Sequence, residues 1–172
     1  MTTKLDFTED EVFLLTTAPS LVGSAVAMAG KSGAIGMAKE MMAQVQTVAA
    51  ASNTYADNEL ITSLLEKPTT REESKDKMQD YRQRAMDEMQ ASGVKSPDQL
   101  ADKALADVER VLALLSQKAT ESEVADYKAW LLDIANKVAA AAKRGWHVRH
   151  WRRDGERRGN SVHLPLGICV GQ

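Results

Sequence analysis

Four helix-start signals punctuate the chain, and they constrain its fold more than any other feature. Thr8 with Glu11, Thr70 with Glu73 and Thr120 with Glu123 each set a hydroxyl three residues ahead of a carboxylate. In such a capping box the hydroxyl accepts from an amide of the first turn, and the carboxylate accepts from the cap's own amide. Two orphan donors are satisfied at once. Ser96-Pro97-Asp98-Gln99 is the fourth signal, with proline at the first helical position, where an N–H is not needed. Behind the last two signals, apolar residues recur every three or four positions. Leu100, Ala104, Val108, Val111 and Leu115 make one seam; Val124, Tyr127, Leu131, Ile134, Val138 and Ala141 make the other.

This punctuation predicts an all-α protein, an up-and-down bundle of about five helices over residues 1–143 with an irregular basic tail over 144–172. The first helix begins at Thr8, with Phe7 and Val12 placed as a hydrophobic staple. Pro19 lacks an N–H and crowds the preceding turn, so a kink or restart is expected there. A second helix is expected over 34–52 and a short one over 59–67, stopped by Pro68. Further helices are expected over 70–92, 97–118 and 120–143. Gly93 reads as a left-handed closure, with Val94 set against Met89. The short connection near Thr120 predicts that the last two helices are antiparallel neighbours.

The stretch from Pro19 to Ala51 is the least charged part of the chain. Gly23, Ala27 and Gly30 are small residues at helical spacing, which lets another backbone come close. Ile35, Met37, Met41, Met42, Val45 and Val48 are expected to form the inward face of the second helix. Val12 to Gly30 is uncharged over 19 residues, a length that can span a bilayer. Its threonines, serines, proline and glycines keep it only moderately apolar, so a buried hairpin and no membrane span are expected.

The 172 residues suit one domain with a real core. Charge is unevenly spread: residues 1–142 carry 15 Lys and Arg against 22 Asp and Glu, a balance of −7, whereas 143–172 carry 7 against 2, a balance of +5. An acidic body repels a phosphate backbone and argues against non-specific nucleic-acid binding there. Cys169 is the single cysteine, which rules out an intramolecular disulfide. Asp6, Glu9, Asp10 and Glu11 stand where a secretory signal needs basic residues, so the cytoplasm is the expected compartment.

Residues 144–172 contain all three histidines, two of three tryptophans and six of ten arginines. Trp146 and Trp151 among arginines fit a nucleic-acid-binding arm. His147, His150, His163 and Cys169 could serve as zinc ligands, although the Cys-x2-Cys half of a familiar finger is missing. A disordered arm is a third reading. A fourth is that the tail is out of frame: a shifted reading of its codons permits a Gly-rich turn and a fresh Ser-capped acidic helix. Nucleic acid is therefore a partner only if the tail is genuine.

Candidate chemistry in the body is sparse. Ala25-x4-Gly30-Lys31-Ser32 matches only the loosest phosphate-loop pattern, in a helical context that lacks the preceding strand. Lys31, Ser32 and Gly33 could instead hold an anion at the start of the second helix. Met37 and Met41, with the glycines, could line a small apolar ligand or lipid site in the hairpin. The body has no histidine, so the Glu-x-x-His di-iron site of ferritin-like bundles and Ser–His triads are excluded there. Asp98, Asp102 and Glu109 share a helix face and read as solvated, and no metal or other cofactor is expected. Trp130 lies off the Leu131/Ile134 seam and fits either a core edge or a contact with another subunit.

Residues 12–66 and 97–143 resemble a group of small uncharacterised bacterial helical-bundle proteins, through LTTAPSLVGSAVAMAGKSG, the NELI of Asn58–Ile61 and YKAWLLDIANKVAAAAK. The resemblance implies a helical bundle and brings no activity with it. It also implies a Gly-rich turn and an acidic helix after Lys143, where this chain departs. Together these readings predict a non-enzymatic bundle that acts through helix faces, by self-association or by binding a protein partner. The alternatives are the apolar-ligand bundle and an anion- or nucleotide-binding enzyme.

Overall fold

The computed structural model describes residues 1–30, 33–66 and 70–150, without the side chains of 33, 34 and 143–150. It is an all-α bundle. After a 3-10 turn at Lys4–Asp6 come α1 (Glu9–Ala29), α2 (Gly33–Thr54), α3 (Glu59–Leu64), α4 (Arg71–Ala91), α5 (Pro97–Lys118) and α6 (Glu121–His150).

Each start signal opens a helix, although the Thr70–Glu73 box forms only in its Thr70 half. Thr8 Oγ1 accepts from the Glu11 amide at 3.3 Å, and Glu11 Oε2 accepts from the Thr8 amide at 2.7 Å. Thr120 and Glu123 repeat the pattern at 3.3 and 2.8 Å. At α4 the Thr70 hydroxyl caps Glu73, and at α5 the Ser96 hydroxyl caps Gln99. Gly93 has φ 67°, the left-handed conformation that closes α4 without a Cβ clash.

Three expectations are corrected. First, of the kink or restart expected at Pro19, the restart does not occur: α1 is continuous through it. Pro19 removes the donor that would serve the carbonyl of Leu15, one turn earlier. The Tyr127 hydroxyl of α6 donates to that carbonyl at 2.7 Å, inside the core. Burial pushes the Tyr127 phenol far above its usual range, so it stays a donor. Second, α6 does not end near Lys143 but continues to His150, since no proline or closing motif stops it; residues 151–172, with most of the tail, lie outside the described residues. Third, α5 and α6 meet only sparingly along their length. The short connection brings their ends together, but α1 packs against both of them.

The core is built on α6. Tyr127, Trp130, Leu131, Ile134 and Val138 are buried together with Leu15, Ala18, Leu60, Ile61, Val111 and Leu115. A smaller cluster of Ala25, Leu100 and Ala104 takes in Leu21, Met89 and Val94. The N-terminus is tied down over the α5–α6 corner. Buried Glu123 accepts from the Thr2 amide at 2.7 Å and the Thr2 hydroxyl at 2.9 Å. By contrast α4 buries no residue at all.

Candidate functional site

The packing of α2 inverts what the hydropathy of its faces predicts. Its buried stripe is Gly36, Glu40, Thr47 and Ala51, which are small or polar. Its large apolar residues point outward: Ile35 is 66% exposed, Met41 61%, Met42 58% and Val45 59%, and Met37 is exposed as well. Of the expected inward face, only Val48 packs against the core. The cause lies in α6. The α2–α6 pair is the most extensive helix contact in the molecule. Two helices lie close only where the side chains between them are small. The small face of α2 meets that demand where its methionines cannot.

The α1–α2 hairpin is filled rather than hollow at Gly23. A Cβ on Gly23 would lie 2.6 Å from Gln44 Cδ. The Gln44 amide occupies that space and donates to the Ser20 carbonyl at 2.9 Å. Glu40 lies nearby and is 0% exposed, and neither of its oxygens has a hydrogen-bond partner among the described residues. A Cβ at Gly30 would lie 3.7 Å from Glu40 Oε1 and 3.6 Å from the Ala142 methyl, which places the carboxylate where α1 ends against α2 and α6.

The candidate site residues are therefore dispersed. Lys31 and Ser32 lie outside the described residues, and Gly33 opens α2. Met37 and Met41 stand on the outward face. Trp130 is 1% exposed and meets the Tyr127 ring edge-on at 5.5 Å, so it serves the core and offers no surface to a second subunit. Tyr127, Trp130 and Leu131 together make the buried face of α6 wider than the seam alone. Asp98, Asp102 and Glu109 are exposed, and the buried acid of α5 is Asp107, held by Lys103 at 2.8 Å and Arg110 at 3.2 Å.

One groove of about 200 Å³ lies between α1, α4 and α5, lined by Phe13, Leu21, Ala85 and Met89 with Lys103 and Asp107. It is smaller than the roughly 300 Å³ at which small-molecule sites begin. Among the described residues no group of three or more His, Cys, Asp or Glu side chains is arranged to hold a metal ion. Among those residues α1 alone is long and apolar enough to cross a membrane, and here it spends Phe13, Leu15, Ala18 and Ala25 on the bundle. The outward face of α2 carries a run of large apolar side chains that the bundle leaves exposed. Its charged residues are Lys39 and Glu40 alone, and Glu40 is turned inward.

No family model matches the chain, and no curated protein or solved structure matches it.

Proposed function

We propose that this protein is a cytoplasmic, non-enzymatic binding module whose working surface is the outward face of α2. One observation carries the reading: the large apolar side chains of α2 are exposed while its small and polar ones are buried. A contiguous exposed apolar stripe of this kind marks an interaction site more often than it marks inert surface. The dispersal of the polar candidates supports a binding role over a catalytic one. All three histidines lie at position 147 or beyond, so histidine supplies no base within the bundle core.

Replacing Met42 and Val45 together by glutamate tests the reading. Substitutions on a surface away from the core change stability by less than about 1 kcal/mol. The double variant is expected to keep its helical circular dichroism and its urea midpoint. Association of the chain, whether with itself or with another protein, is expected to disappear in size-exclusion chromatography with light scattering. A loss of several kcal/mol would put these side chains in the core and remove the reading. Unchanged association would remove it as well.

A further inference from the structure

Met1 and Thr2 are neighbours in opposite surroundings: Met1 is 85% exposed and Thr2 only 7%. The Thr2 nitrogen lies against the Glu123 carboxylate and donates to Oε1 at 2.7 Å. The Thr2 hydroxyl, the Thr120 hydroxyl and the Thr120 amide all donate to Oε2. Among the described residues the Thr2 nitrogen is therefore the one donor to Oε1. The carboxylate is buried, yet among those residues no lysine or arginine pairs with it. Lys118, at the same corner, is turned to Glu11 at 2.7 Å, and Lys4 is turned to Glu66 at 2.6 Å. Asp6 accepts from the Thr3 amide and Asp126 from the Asn58 side chain, while Glu121 is exposed. Neutral donors alone hold Glu123, and an ionised carboxylate binds a cationic donor more strongly than a neutral one.

We propose that the Met1–Thr2 peptide bond is a processing site, and that Glu123 is the receptor for the α-amino group that its hydrolysis frees. The step consumes one water. Its oxygen stays on the departing methionine as a carboxylate, and both its protons go to the Thr2 nitrogen, which becomes an ammonium. The ammonium has three donors where the amide had one, and it already sits at hydrogen-bond distance from Oε1. A neutral hydrogen bond becomes an ion pair with no rearrangement of the corner.

Two further observations support cleavage at this bond. Aminopeptidases that remove a leading methionine must seat the next side chain in a small pocket, and threonine is small enough. Met1 itself is exposed, so its loss takes little from the fold. The order of events also fits. Glu123 lies 121 positions beyond Thr2, so the bond is open while the chain is being made and is closed off once Thr2 docks. An amine paired in the fold has its pKa raised above the unfolded value of about 7.7. The added stability is full below that value and is lost as pH rises through the folded one.

The first test is the intact mass of the full chain expressed without a tag. It is expected to be one methionine residue light, and a mass that keeps Met1 overturns the processing. For the pairing, full chains beginning at Met1 and at Thr2 are released from a carrier by a protease that cuts directly before either residue. At about pH 6, urea melts are expected to favour the Thr2 chain about tenfold in its folded-to-unfolded ratio, the effect of a one-unit rise in the amine pKa. The gain is expected to vanish at about pH 10 and in a Glu123→Gln background. Equal stability at the lower pH, or a gain that survives Glu123→Gln, overturns the ion pair. A second readout needs no variant. An amine-acylating reagent is expected to modify the Thr2 nitrogen of the folded Thr2 chain at least tenfold more slowly than in urea, and equal rates overturn the pairing.

Discussion

Tyr127 shows how one side chain rescues a break in another helix. Pro19 strips the Leu15 carbonyl of its helical donor, and the buried Tyr127 hydroxyl supplies one at 2.7 Å. Tyr127→Phe leaves that carbonyl bare inside the core, at a cost of about 1 to 3 kcal/mol. Pro19→Ala restores an amide at the right place. The double variant Pro19→Ala, Tyr127→Phe is therefore expected to recover much of the loss, and a double-mutant cycle on urea melts reads the coupling. Purely additive losses would mean that the two residues do not share the carbonyl. Sequence reasoning correctly flagged Pro19 as a break in the hydrogen-bond ladder. It missed Tyr127 as the remedy, because the two lie more than a hundred residues apart and meet only through tertiary packing.

At the scale of the element, α4 is the odd helix. Its starting cap and its Gly93 closure are sound, yet it buries no residue. Tyr81 meets the Phe13 ring at 5.3 Å, and the Arg84 guanidinium lies 4.1 Å above the same ring. Arg84 also pairs with exposed Asp10 at 2.6 Å, a contact of modest worth in water. Phe13 is the main peg on which α4 hangs. Hydrogen exchange should then show α4 amides opening locally, far sooner than those of α6. Tyr81→Ala with Arg84→Ala is expected to speed α4 exchange and leave α6 unchanged. Equal protection of the two helices in the unaltered chain would contradict this picture. The thin apolar stripe of α4 was legible in its sequence; the aromatic peg was not, because Phe13 reads as an ordinary core residue of α1.

For the molecule as a whole, Glu123 fastens the N-terminus to the α5–α6 corner. Burial works to raise its pKa, but hydrogen bonds from the amides and hydroxyls of Thr2 and Thr120 outweigh it and hold the carboxyl at about 2 against an ordinary 4.5. A depressed carboxyl contributes its stability above the unfolded value and loses it as pH falls through the folded one. The contribution is thus full above about pH 4.5 and gone near pH 2, and is on the order of 3 kcal/mol. Urea melts of Glu123→Gln against the parent chain should differ by that order at pH 7 and converge near pH 2. A difference that persists at pH 2 would show that the charge is not what matters. The capping role of Glu123 was legible from Thr120-x-x-Glu123. Its second role was not, since nothing local says that Thr2 arrives at the same carboxylate.

The sequence by itself determined where the capped helices begin and where α4 closes, because caps and glycine closures act within a few residues; the end of α6, which has neither, it did not determine. It also identified the inward faces of α5 and α6, whose seams had one apolar side each. The tertiary structure alone decided which side of α2 is hidden. That helix offers two stripes, one large and apolar, the other small, and hydropathy favours burying the first. Close packing on α6 favours the second, and the bundle takes that solution. Burial energy scales with apolar area, but a side chain must fit between two backbones before it can be buried. Ile35, Met37, Met41, Met42 and Val45 are thereby left outside.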